Sequence, residues 1–143
     1  MSKIKPNILA TIGETPLVRL NRLSETTGID VCAKLELFNP GGSIKDRIGR
    51  AMIEAAEQRG ALRPGGTVVE ATAGNTGIGL AQAAAVKGYR AIFVMPEKMS
   101  REKAALLEAY GAEVVWTPTV GVDSPDYYVK VAARIVAETE GAW

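Results

Sequence analysis

Three short apolar runs, Thr67 to Glu70, Arg90 to Met95 and Glu113 to Thr117, alternate with segments of helical period. A glycine stops each helical segment: Gly60, Gly88, Gly111 and Gly141. Such alternation implies parallel strands joined by right-handed helical crossovers, an α/β fold with helices on both faces of the sheet. The runs are nearly continuous in apolar residues, as expected of strands covered on both sides. At 143 residues the chain is long enough for a domain with its own core.

The spacing predicts four helices. The first spans Ser43 to Arg59, with Ile44, Ile48, Met52, Ala55 and Ala56 on the buried face. The second spans Asn75 to Lys87, and the third Arg101 to Tyr110, with Ser100 as its cap. Asp123-Ser124-Pro125 opens the fourth, with Ser124 as cap, and it runs to about Thr139. Val31 to Glu36 reads as an additional strand.

Composition removes several function classes. Net charge is +1, which gives no electrostatic case for nucleic acid or an anionic membrane. No apolar run reaches the ~20 residues that span a bilayer. No apolar stretch follows Met1-Ser2-Lys3-Ile4-Lys5-Pro6, so no signal peptide is read. Cys32 is the single cysteine; it fits a reducing cytoplasm and reads as a buried, inert thiol. The chain has no histidine, so Ser-His-Asp and Cys-His nucleophiles are impossible, and no zinc or other metal site is expected. Lysine, Asp, Glu or Tyr must carry any proton transfer.

Two glycine-rich turns stand at loop–helix junctions. Asn39-Pro40-Gly41-Gly42-Ser43-Ile44-Lys45 places Lys45 on a first helical turn, where the helix dipole disfavours a cation. Thr72-Ala73-Gly74-Asn75-Thr76-Gly77 follows a strand and opens a helix, so its free N–H groups favour a carboxylate or phosphate. Neither is a P-loop, because Lys45 is followed by Asp46 rather than Ser or Thr. A dinucleotide fingerprint is a poor match, since Gln82 stands where the third glycine belongs. Each turn also admits a plain structural role, as a tight bend or a solvated lysine.

Together these segments resemble the fold-type-II pyridoxal-phosphate enzymes of the cysteine synthase and cystathionine β-synthase family. The likeness runs from Gly13-Glu14-Thr15-Pro16 through Asn39 to Arg47, Glu70 to Ala81 and Val94 to Ser100, and on to Ala109 to Val115. It implies the small domain of the tryptophan-synthase-β-like fold. It further implies that Lys45 forms the Schiff base with pyridoxal 5'-phosphate and serves as general base. Asn75 would bond the cofactor's ring hydroxyl, and Thr72, Ala73, Gly74 and Thr76 would close on the substrate carboxylate. Ala73 replaces a serine common in the family, which removes one hydroxyl contact. The implied reaction is β-replacement on serine or O-acetylserine by a thiol or sulfide, giving cysteine or cystathionine, in a cytoplasmic homodimer.

Family catalytic domains are longer, and their phosphate-binding glycine- and threonine-rich loop is not found here. Residues 1–40 are therefore expected to join a larger domain, and residues 41–143 to form the small α/β domain. A truncated chain with little activity alone is the expectation. Two alternatives are a non-catalytic module that pairs with a full-length relative and a nucleotide-binding α/β domain.

Overall fold

The computed structural model describes residues 4–72 and 74–143. Strands β3 (Thr67–Glu70), β4 (Arg90–Pro96) and β5 (Glu113–Thr117) form a parallel sheet in that order. Val68 pairs with Ala91, and Val94 with Val115. The central strand β4 is buried from Ala91 to Pro96. Its two-residue period sends Phe93 and Met95 to one face, Ile92 and Val94 to the other.

Helices cover both faces, as the pattern implies. On the first lie α2 (Lys45–Gln58), α3 (Asn75–Lys87) and α4 (Arg101–Ala109), which bring Ile53, Leu80 and Leu107 onto Phe93 and Met95. On the second, α5 (Tyr128–Glu138) sets Val131 and Ala132 against Val69, Ile92 and Val94. Each fully buried aliphatic side chain of this kind contributes about 1.5–3 kcal/mol.

The last residues complete the layer. Thr67 N–H donates to Gly141 O at 3.1 Å, Trp143 N–H to Thr67 O at 2.9 Å and Val69 N–H to Trp143 O at 2.8 Å. Gly141–Trp143 therefore runs parallel beside β3, on the edge away from β4. The chain leaves β3 toward β4 across one face and returns past β3 across the other. Such a reversal is where open α/β sheets bind ligands, beyond the carboxyl ends of the strands.

Residues before α2 form a separate antiparallel pair, β1 (Leu17–Arg19) with β2 (Cys32–Lys34), joined by α1 (Asn21–Thr27). Leu17 in β1, Ile29 ahead of β2, and Leu37 and Phe38 after it are exposed, each above 60%.

Several sequence expectations are corrected here. Cys32 is exposed rather than buried, because it stands on the open side of β2. β2 stops at Lys34, and a 3-10 turn occupies Glu36–Phe38. On α2 the buried residues are Asp46, Gly49, Ile53 and Ala56, whereas Ile44 and Ile48 are exposed. The fourth helix starts at Tyr128; Ser124 Oγ instead accepts the Asp126 N–H in a preceding turn. Ser100 precedes α4 in extended geometry but makes no capping bond, because its hydroxyl turns to Glu102.

The altered face of α2 has a physical cause. A methyl group on Gly49 would lie 2.2 Å from the Gly79 carbonyl carbon, and one on Gly79 would lie 2.5 Å from Lys45 O. The two helices touch backbone to backbone, so α2 must present its glycine rather than its isoleucines. Gly49→Ala is expected to lower folding stability by about 1–3 kcal/mol or more through overpacking. Gly121→Ala, which meets nothing within 4 Å, should shift the urea midpoint far less.

Candidate functional site

The close crossing sets the register of α2 and α3. Gly49 lies on Gly79, and farther along Lys87 Nζ reaches Glu57 at 2.8 Å. Lys45 and Asn75, the first residues of the two helices, stand in that same register. Both helices therefore begin side by side at the carboxyl edge of the sheet. Neither has a capping side chain on its Ncap residue; at α2 the Lys45, Asp46 and Arg47 N–H groups bond Ser43 and Ile44, whereas at α3 the Asn75 and Thr76 N–H groups have no partner among the described residues. The chain comes to this edge directly from β3 through Ala71 and Thr72.

The predicted residues fall as follows. Lys45 is half-buried, and its N–H is held by Ser43 Oγ at 3.1 Å. Asn75 is exposed. Among the described residues neither side chain has a hydrogen-bond or ion-pair partner. Thr72 is half-buried, and its Oγ1 accepts the Gly74 N–H at 3.3 Å. Gly74 is extended and opens onto free space, since a methyl group there would meet nothing within 4 Å. Gly77 closes the turn through Gly77 N–H to Gly74 O at 3.0 Å. A methyl group on Gly77 would lie 2.8 Å from the Thr72 methyl carbon, so glycine is required there. Thr76 is half-buried in the first turn of α3. Ala73 lies outside the described residues. The structure thus brings Lys45, Thr72, Gly74, Asn75 and Thr76 to one edge.

A network that sequence reasoning did not assign holds the lysine turn. Arg47 grips Glu36 with two bonds, Nε to Oε2 at 2.9 Å and Nη2 to Oε1 at 3.0 Å. Thr15 Oγ1 donates to the same carboxylate at 2.7 Å, and Asn39 Nδ2 donates to it at 2.9 Å. Asn39 Oδ1 accepts the Gly13 N–H at 2.9 Å. The Arg47 fork, then the Thr15 hydroxyl, hold the Glu36 carboxyl down at about 2. Asn39 and Arg47 flank Lys45 within one sequence motif, and Thr15 lies in a second; that pairing was the available signal.

Asp46 is fully buried beneath the turn. Its Oδ2 accepts the Gly41 N–H, while Oδ1 has no partner among the described residues. Burial raises its pKa, and the Gly41 bond offsets part of that. A methyl group on Gly41 would lie 2.5 Å from Oδ1, so the turn needs glycine where the carboxyl packs.

A lysine amine beside free amide donors suits a ligand with a carbonyl to bond and an anionic group to anchor. The model of the pyridoxal-phosphate dependent enzymes matches residues 8–143. The chain belongs to that family.

Individual members of the pyridoxal-phosphate dependent enzymes are close in sequence. A cystathionine beta-synthase of Rattus norvegicus is 59% identical over 139 residues, which cover 95% of this chain and 25% of the rat protein. A probable cysteine synthase of Bacillus subtilis (strain 168) is 58% identical over 118 residues, 82% of this chain and 38% of that protein. A hydrogen sulfide-producing enzyme from Fusobacterium nucleatum superposes over the whole chain with a TM-score of 0.89 at 38% identity, covering 46% of its own chain. The chain thus spans about a quarter of the rat relative's length. Among the described residues, no helix is long and apolar enough to cross a membrane.

Because folding lowers the Glu36 pKa from 4.5 to about 2, its contribution to stability is present above pH 4.5. That contribution fades as pH falls toward 2, when the unfolded chain takes up the proton first. Chemical denaturation across this window should show a steeper acid loss for the wild type than for Glu36→Gln.

Proposed function

We propose that this chain carries the lysine and the carboxylate-binding loop of a pyridoxal-phosphate dependent β-replacement enzyme of sulfur amino-acid metabolism. The donor is serine or O-acetylserine, and the acceptor a thiol or sulfide. The observation that carries this reading is the shared register of Lys45 and Asn75 across the Gly49–Gly79 crossing.

When bound, pyridoxal phosphate withdraws electrons from the substrate Cα. Lys45 Nζ is the group that would hold the cofactor covalently, and its free amine would serve as the base for the substrate Cα proton. Asn75, exposed at the mouth of α3, orients the ring through its hydroxyl. Thr72, Ala73, Gly74 and Thr76 receive the substrate carboxylate, chiefly through backbone N–H groups at the helix start. Since Ala73 has no hydroxyl, that anchoring rests on amides and on the two threonines. One lysine acts as nucleophile and base in turn, which a chain without histidine requires.

Segment 1–40, in which Leu17 and Phe38 are exposed, is assigned to contact with a larger domain. The phosphate-binding loop of the family is assigned there too. The 143 residues alone are accordingly expected to hold the cofactor weakly and to turn over little.

Borohydride added to the chain with pyridoxal phosphate fixes the cofactor on whichever amine it has bonded. Peptide mapping should find Lys45 labelled well ahead of exposed lysines such as Lys98 and Lys103. Lys45→Ala should remove the dominant label. Even labelling of all lysines would end the assignment.

A further inference from the structure

We propose that Asp46 is a positioning residue for Lys45 and works as a neutral acid: one oxygen holds the Gly41 N–H, and the other keeps its proton. This rests on Lys45 as the reactive amine and says what fixes, from within, the turn that bears it.

The carboxyl group is enclosed. Asp46 is fully buried in the first turn of α2, directly after Lys45. Its Oδ2 accepts the Gly41 N–H, and Oδ1 has no partner among the described residues. The space above is tight: a methyl group on Gly41 would lie 2.5 Å from Oδ1 and 2.9 Å from Oδ2. A methyl group on Gly79 would lie 3.1 Å from Asp46 Cα, so the backbone of α3 closes that flank of the residue.

No cation answers the group. The bend above it, residues 39–44, has no titratable side chain. The packed helix α3 carries one charged residue, Lys87, which lies at its far end on Glu57. Lys45 and Arg47 adjoin Asp46 in sequence, but residues one apart on a helix do not face each other. Arg47 is moreover committed to Glu36. The charge that acts on Asp46 from outside α2 is the Glu36 carboxylate, which disfavours a second anion. The helix start and the N–H groups of Gly41 and Asp46 favour the charged form. Burial opposes them and is the largest effect, so the pKa of Asp46 is raised. A buried carboxyl without a cation takes up a proton rather than stay charged.

Position supplies the link to Lys45. The Asp46–Gly41 bond reaches back five residues and ties the bend to the turn whose first residue is Lys45. The Lys45 N–H is itself held by Ser43 Oγ of the same bend at 3.1 Å. From outside, the Arg47 fork on Glu36 holds the residue beyond. The amine is thus set from two sides, and the inner hold adds no charge beside it. Ionisation would place an unanswered charge inside the packed turn. Asp46 could relieve it only by moving toward water, and the bend over it would move as well.

The test compares wild type, Asp46→Asn and Asp46→Ala. The amide keeps the shape and the bond to Gly41 but cannot ionise; alanine removes both. Unfolded, Asp46 loses its proton around its ordinary value of 3.8, whereas the folded chain keeps it to higher pH. Wild type therefore loses stability as pH rises above about 4, and Asp46→Asn does not share that loss. Urea midpoints measured from pH 4 to 7 should shift progressively in favour of Asp46→Asn. A constant difference, or one that grows in favour of wild type, would overturn the neutral acid. In hydrogen exchange without cofactor, the Gly41 N–H should be as slow in Asp46→Asn as in wild type and at least tenfold faster in Asp46→Ala. Equal rates in the two variants would overturn the hold on Gly41. Borohydride labelling with pyridoxal phosphate should keep Lys45 first in Asp46→Asn, but drop it at least fivefold against Lys103 in Asp46→Ala. Unchanged labelling in Asp46→Ala would break the link to Lys45. Should Asp46→Ala not fold, the pH series on Asp46→Asn still decides, and a Gly41 N–H that exchanges freely in wild type also sinks the proposal. The first two readouts need no cofactor, so this role of Asp46 and the assignment of Lys45 can fail separately.

Discussion

Everything at the carboxyl edge depends on two glycines that let α2 and α3 touch. A methyl group on either would sit within 2.5 Å of the opposite backbone, far inside van der Waals contact. With ordinary side chains, packed helices stand 8–10 Å apart. Removing both side chains brings Lys45 and Asn75 into register and sets two helix starts side by side. The Lys87–Glu57 pair, with Tyr89 Oη also donating to Glu57 at 2.7 Å, ties the other end. A dry crossing near the site and a charged clasp far from it hold the helices against rotation.

The lysine turn is held by a second device of different physics. Glu36 receives bonds from Arg47, Thr15 and Asn39, which come from two stretches of chain. A carboxylate with so many donors resists protonation and fixes their relative positions. Arg47 is two residues past Lys45, so the fork orients the helix turn that bears the amine. Asp46, on the opposite side of that turn, packs under Gly41 and shapes the bend from within. Lys45 is thus placed by residues that do not themselves need to meet a ligand.

The sheet and its helices were legible because period and punctuation agree. β3 and β5 start and stop where the apolar runs do, and Gly88 takes the positive φ that ends α3, whereas α5 ends at Glu138, before Gly141. The face of α2 was not legible from apolar period alone. Ile44 and Ile48 mark one stripe, but the backbone contact at Gly49 decides which stripe turns inward, and that contact needs a partner glycine far along the chain. The start of α5 failed for a local reason: Ser124 satisfies its own turn, so the helix waits until Tyr128. Cys32 misled because an apolar run need not be covered on both sides; β2 has one neighbour and an open face. In the site, the motif residues stood out through glycine and lysine, whereas Glu36 sits in a stretch that reads as a strand and shows its role only once Arg47 reaches it.

Charge at the start of α3 favours an anion. The N–H end of α3 has no capping side chain on its Ncap residue, and such a helix start is equivalent to roughly half a positive charge. Lys45 and Lys98 add ammonium groups with no ion-pair partner among the described residues. Of the carboxylates nearby, Glu36 is engaged with Arg47 and Asp46 lies beneath Gly41. Glu70 and Glu97 have no ion-pair partner among the described residues; Glu70 lies toward Tyr128 at the end of β3, and Glu97 precedes Lys98 just past β4. An anionic ligand at the start of α3 would meet the helix dipole there, with the Lys45 amine in the same register on the neighbouring helix.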